Sequence, residues 1–141
     1  MSEPPLPADV IATLRKPNPA VITTLRSDGQ PVSTATWYLW DDDRLLVNMD
    51  EGRRRLSHVR NDPRVSLTVL DAKSWYTHIS FIGTVNRLRN DEGLRVIDRM
   101  SEHYLGQPYA RRDRARVNAW IKVERWHGWG AHKDNAQAGG R

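Results

Sequence analysis

The sequence predicts a mainly β fold, six antiparallel strands with two to three flanking α-helices, and three observations carry that prediction. Segments of alternating character recur at residues 20–25, 32–40, 44–49, 65–70, 75–89 and 117–123, several of them rich in β-branched or aromatic residues. Turn chemistry separates them, with Ser27-Asp28-Gly29, then Asp41-Asp42-Asp43, then Asn61-Asp62-Pro63. Helical spacing is confined to residues 8–14, a short stretch after Gly52, and residues 90–104.

Taken in order, residues 1–7 hold three of the eight prolines and predict a disordered tail. Val10, Ile11 and Leu14 then share one face of a short helix that Pro17 and Pro19 close. Residues 20–25 and 32–40 form a hairpin, with Pro31 at the first position of the second strand. On that strand Val32, Thr34, Thr36 and Tyr38 share one face and Ser33, Ala35, Trp37 and Leu39 the other, so small and hydroxylated residues leave room for a flat object against the backbone. Thr there also serves β propensity alone.

The three carboxylates at Asp41-Asp42-Asp43 lack the further spaced oxygen ligands and the glycine that a hard-cation loop needs, so they read as a polar turn with no metal. Leu45, Val47 and Met49 then alternate with Leu46 and Asn48. This leaves one amide that either bonds a ligand or simply ends a strand.

Beyond Gly52 come Arg53, Arg54 and Arg55, at the first turn of a short helix carrying Leu56 and Val59. Cations at that end oppose the positive pole of the helix macrodipole. A solvated basic patch is one reading. The other is an anion shared between the guanidinium forks and the free backbone N–H groups, which makes the turn a phosphate seat.

In residues 75–89, Thr77, Ile79, Phe81, Gly83 and Val85 alternate with Tyr76, His78, Ser80, Ile82 and Thr84, and Gly83 predicts a bulge or bend. His78 either supplies a proton near neutral pH or is a structural, hydrogen-bonded histidine. Asn90, Asp91 and Glu92 read as the capped start of a helix whose stripe Leu94, Ile97, Met100 and Tyr104 is core, ended by Gly106 and Pro108. Residues 109–116 are basic and irregular, a solvated connector or the resting place of an anionic tail. Trp126 and Trp129, among six tryptophans, suggest a stacking surface or a dimer interface.

Composition bounds the function. A chain of 141 residues with 38% hydrophobic content suits one domain, and the absence of cysteine removes disulfides, thiolate metal sites and cysteine nucleophiles together. No apolar run is long enough for a membrane span and no signal-peptide pattern opens the chain, which predicts a cytoplasmic location. The net charge of +5 arises from 22 basic residues dispersed among 17 acids, and an anionic small molecule accounts for it as well as nucleic acid does. No nucleophile elbow, zinc-binding helix, Walker loop or dinucleotide fingerprint is present, so hydrolysis by nucleophile or zinc is not expected.

Gly52-Arg53-Arg54-Arg55, followed by Arg60-Asn61-Asp62-Pro63-Arg64-Val65-Ser66-Leu67, resembles the pyridoxamine 5'-phosphate oxidase-like FMN-binding split-barrel superfamily. The chain is most similar to the actinobacterial branch that uses the deazaflavin coenzyme F-420, over roughly residues 8–130. The resemblance implies a six-stranded antiparallel split β-barrel over residues 8–130, between a disordered tail at 1–7 and a flexible tail at 131–141. It implies a homodimer with the cofactor site at the subunit interface, and hydride transfer from reduced F-420 to an unsaturated or conjugated small molecule.

Arg53 and Arg55 are then implied to hold the cofactor phosphate, although the family often has Lys where this chain has Arg55. Asn48, Met49 and Asp50 are implied to flank the ring or ribityl chain largely by backbone, and Thr34, Ala35 and Thr36 to border it. Trp37, Tyr38, Trp75 and His78 become candidates for substrate contact, His78 also for proton supply, with no catalytic residue otherwise assigned. Three alternatives stand beside this: an FMN-dependent oxidase of the pyridoxamine-phosphate type, a non-catalytic deazaflavin-binding protein, and a basic nucleic-acid-binding barrel. The last ranks lowest, because the aromatics are not interleaved with basic residues on one strand face.

Overall fold

The computed structural model describes residues 1–133; the predicted flexible C-terminal tail lies outside the described residues from position 134 onward. Helix α1 (Ala8–Leu14) precedes β1 (Ala20–Leu25), β2 (Pro31–Thr36), β3 (Leu39–Asp41) and β4 (Arg44–Asp50). Helix α2 (Arg54–Asn61) leads into β5 (Arg64–Leu70) and β6 (His78–Asn90). A 3₁₀ turn (Glu92–Leu94) and α3 (Arg95–Leu105) come before β7 (Arg116–Trp129) and a closing turn (Gly130–His132).

All seven strands form one antiparallel sheet in the order β2-β1-β5-β6-β7-β4-β3. Its two edge strands, β2 and β3, are consecutive in the chain and separated only by Trp37 and Tyr38. Three Cα steps from Thr36 to Leu39 span at most about 10 Å, so the sheet has to curl until its edges nearly meet. Those edges are neighbours in the chain but not hydrogen-bonded to each other, which is a split barrel.

The predicted strand at 32–40 is therefore two strands, and the sheet has seven strands rather than six. The chain leaves its pairing with β1 at Thr36 and takes up pairing with β4 at Leu39. Alternation in sequence does not reveal this, because a change of partner leaves the period of two intact.

The barrel interior is filled by inward residues of every long strand, among them Ile22, Val47, Met49, Leu67, Phe81 and Ile121, with Leu56 and Val59 of α2 and Leu14 of α1 plugging it. Gly83 meets its expectation. The register of β6 against β7 shifts between Ile82 and Gly83, and a Cβ at Gly83 would run into the carbonyl oxygen of Lys122. A smaller core of Leu39, Leu46, Ile97 and Met100 lies outside the barrel wall, where α3 covers β3 and β4. Strand β4 is thus buried on both faces, and Asn48, on the Leu46 face, is sealed beneath α3.

Other boundaries differ from expectation for identifiable reasons. Ser2 pairs with Trp126 by two backbone hydrogen bonds of 2.7 and 2.9 Å and Leu6 is buried, so residues 1–7 are docked on the barrel rather than a loose tail. Trp75 and Tyr76 lie in a turn before β6 instead of within it. Asn90 ends β6 and is not the helix cap. Asp91 takes that role from a distance, because Gly93 and Leu94 are left-handed and fold the chain back, so that the Asp91 carboxylate accepts from Val96 N and Ile97 N at 2.9 Å each.

Candidate functional site

Two cavities of about 520 and about 660 Å³ meet at Ala35 and Arg55, which line both. Together they form one groove between β2, the start of α2 and the inner face of α3. The larger holds the basic turn, Gly52, Arg53, Arg54 and Arg55, facing Thr24, Thr34 and His58. The smaller is aromatic and ends at Asn48 and Arg116, with Trp37, Met100, Tyr104 and Tyr109 as walls.

The basic end has the electrostatics that the sequence suggested. Helix α2 has no side-chain cap and no acidic residue in its first turn, and the arginines occupy that turn instead. The carboxylate of Asp50, two residues before Gly52, is committed elsewhere. It accepts from Gly52 N at 2.8 Å and pairs with Arg114 at 2.7 Å, and the Gly52 hydrogen bond and the Arg114 charge outweigh desolvation to hold its pKa below the usual carboxylate range.

Arg53, Arg54, Arg55 and Arg116 belong to none of the ion pairs among the described residues. Arg55 is half-buried, its Nε is buried without a hydrogen-bond partner, and burial followed by the charges of Arg53 and Arg116 pushes its guanidinium pKa down. A desolvated cation crowded by cations is a costly arrangement unless an anion joins it.

The aromatic end is rigidly built. Trp37 and Tyr104 stack with centroids 5.2 Å apart and planes 10° from parallel. The Tyr104 hydroxyl donates to Asn18 O at 2.7 Å and accepts from Tyr38 N at 3.3 Å, and burial pushes its pKa up to about 12. Asn48 donates to Asp91 at 3.0 Å and to Asn118 at 2.7 Å, and accepts from Arg116 Nε at 2.6 Å.

Of the residues singled out in the sequence, Arg53, Arg55, Asn48, Thr34, Ala35, Thr36 and Trp37 line this groove. Met49 points into the barrel core, fully buried, and Asp50 is held by Arg114. Tyr38 corrects the expectation of substrate contact: it is completely buried, its hydroxyl donates to Leu14 O at 2.9 Å, and burial raises its pKa. It keeps the face it shares with Thr34 and Thr36, opposite Ile22 and Ala20, but lies in the packed core of the barrel and not in the groove. Replacing it, Tyr38→Phe, is expected to leave ligand affinity unchanged and to cost about 1 kcal/mol, read by urea unfolding.

Trp75 is 70% exposed and His78 bonds Tyr76 O at 3.0 Å and lies edge-on to His127; neither lines the groove. Sequence reasoning missed Arg116, Tyr109 and the cavity-facing part of the α3 stripe. Arg116 and Tyr109 were absorbed in a run of basic residues. Only the pairing of β4 with β7, Asn48 opposite Asn118 and Asp50 opposite Arg116, carries Arg116 to the groove. Among the described residues no cluster of His, Asp or Glu is placed to hold a metal, and no helix is long and apolar enough to cross a membrane.

A curled antiparallel sheet with open edges defines a split barrel, here with a cationic and aromatic groove at the split. The chain belongs to the pyridoxamine 5'-phosphate oxidase family, whose model matches residues 6–130. Among solved structures it is similar to an F420 reductase at 22% identity, covering 86% of this chain and 98% of that one with a TM-score of 0.76. It is also similar to a conserved hypothetical protein of Mycobacterium tuberculosis (24% identity, 90% and 86% covered, TM-score 0.67). A third is a putative pyridoxamine 5'-phosphate oxidase of Listeria innocua (19% identity, 85% and 94% covered, TM-score 0.66). At these identities the likeness is one of fold. No curated protein matches the chain in sequence.

Proposed function

We propose that this protein is an oxidoreductase that binds a phosphorylated tricyclic cofactor in the groove, the deazaflavin F-420 in the first place and FMN as the alternative, and works as a homodimer. The observation that carries the reading is Arg55: a half-buried guanidinium with an orphaned Nε, between Arg53 and Arg116, at an uncapped helix start. Such a seat is complementary to a phosphate ester, which brings negative charge, one for a diester and up to two for a monoester, and several acceptor oxygens to converging donors. The aromatic half, walled by Trp37, Met100 and Tyr109, is flat and apolar enough for a ring.

The residues present therefore fit such a cofactor: Arg53 and Arg55 at its phosphate, and Ala35, Thr36 and Trp37 along its ring. A bound deazaflavin or flavin supplies hydride chemistry. The chain itself fixes orientation through the Trp37–Tyr104 stack, narrows water access under α3, and provides positive charge. Trp75 and His78 enter only if a second copy brings them to the groove, as the family resemblance implies.

Titrating the purified protein with F-420 and with FMN, followed by tryptophan fluorescence, tests the reading. Saturable binding of one of them is expected, and then oxidation of the reduced form by a conjugated acceptor. Binding of neither contradicts the proposal, and tight FMN with no F-420 binding promotes the alternative. Binding without turnover on any acceptor marks a cofactor-binding protein.

A further inference from the structure

Of the two readings of the Asn48 amide, bonding a ligand or ending a strand, the structure gives neither, because its hydrogen bonds go to protein partners. Both Nδ2 hydrogens are used, one on the Asp91 carboxylate and one on Asn118 Oδ1. Its Oδ1 accepts from Arg116 Nε at 2.6 Å. The amide cannot turn over, because a carboxylate only accepts and a guanidinium only donates. No N–H of Asn48 is left for a ligand.

Arg116 is what that network holds in place. Its Nε is anchored on Asn48, its guanidinium carbon lies over the Tyr109 ring 4.9 Å from the centroid, and it lines the aromatic half of the groove. No hydrogen bond or ion pair engages its terminal NH₂ groups among the described residues; its charge is felt at Arg55 and, less strongly than that of Arg114, at the Asp50 carboxylate opposite it in the sheet, which Arg114 already neutralises. The groove thus carries a second preorganised cation, on the ring side rather than in the first turn of α2.

We propose that Arg116 is a ring-directed binding residue that stabilises negative charge on the bound tricyclic ring, and that Asn48, itself held by Asp91 and Asn118, is its positioning residue. The inference rests on the cofactor reading above and adds to it a contact that the phosphate seat does not supply. A fixed positive charge beside an acid favours the deprotonated form, so a ring bound here ionises at lower pH than in free solution. The same charge favours the electron density that a reduced ring carries, which makes Arg116 the group that tunes the cofactor.

The test reads the ring itself. F-420 and FMN are each bound to the parent protein and to Arg116→Met, Arg116→Lys and Asn48→Ala, and ring ionisation is followed by visible absorbance against pH, with thermal unfolding as a check on folding. In the parent the ring is expected to ionise below its free-solution pH. In Arg116→Met the ionisation constant falls about tenfold, one pH unit upward, while Arg116→Lys recovers part of the shift. Asn48→Ala, which keeps the charge but frees it, is expected to fall between parent and Arg116→Met. A ring that ionises at the same pH in the parent and in Arg116→Met, or in the parent and in solution, overturns the assignment and leaves the phosphate seat intact. A parent that binds neither cofactor overturns both.

Discussion

Arg55→Met is expected to weaken binding of the phosphorylated cofactor by roughly 10- to 100-fold while leaving thermal stability equal to the parent's or higher. The two effects have one cause. In the free protein the Arg55 guanidinium is partly desolvated, its Nε has no acceptor, and its charged neighbours in the groove are Arg53 and Arg116. Methionine keeps much of the aliphatic stem and removes the charge, so the folded state loses repulsion and no native hydrogen bond. In the proposed complex the same guanidinium would give the phosphate charge-assisted hydrogen bonds worth about 1.5–3 kcal/mol, and the variant loses these. Lower affinity with undiminished stability is the signature of a residue retained for binding at the expense of the fold. A fall in both together, measured by isothermal titration and thermal unfolding, would mean that Arg55 is structural.

Asp91→Ala is expected to cost about 2–4 kcal/mol, a drop in melting temperature on the order of 10 °C, measured by calorimetry. Its carboxylate is buried and serves three donors, the Val96 and Ile97 N–H groups at the start of α3 and the Asn48 amide. Without it α3 loses its cap and a buried amide hydrogen loses its acceptor. The functional consequence follows through the same atoms, because α3 carries Tyr104 and Asn48 anchors Arg116. Affinity for the ring is therefore expected to fall with stability, the opposite pattern from Arg55→Met.

The contrast between these residues also shows what a sequence can reveal. The basic turn was legible because its oddity is local: three arginines after Gly52, at the wrong end of a helix, conflict with the macrodipole in any context. Strand alternation and the Gly83 bulge were legible for the same reason, each being written in consecutive residues. Arg116 was not, since its role depends on β7 lying beside β4, which brings its side chain to Asn48, 68 residues away in the chain.

Asp91 was half legible. An acid near a helix start is a cap signal, but the left-handed Leu94 that makes it a remote cap carries no signature in an ordinary leucine. Tyr38 keeps the face that alternation gives it, shared with Thr34 and Thr36, yet it is sealed in the core while they reach the groove, and that difference in depth is not written in the alternation. The α3 stripe was read as core, and Ile97 and Met100 are buried there, but the same layer forms a wall of the aromatic cavity.

The most direct measurement compares the same ring with and without its phosphate: FMN against riboflavin, and F-420 against its phosphate-free ring and ribityl fragment, on parent and Arg55→Met. A seat built from Arg53, Arg55 and the start of α2 predicts that the parent prefers the phosphorylated partner by about 100-fold or more, and that most of this preference disappears in the variant. Equal affinity of the parent for both members of each pair would contradict it.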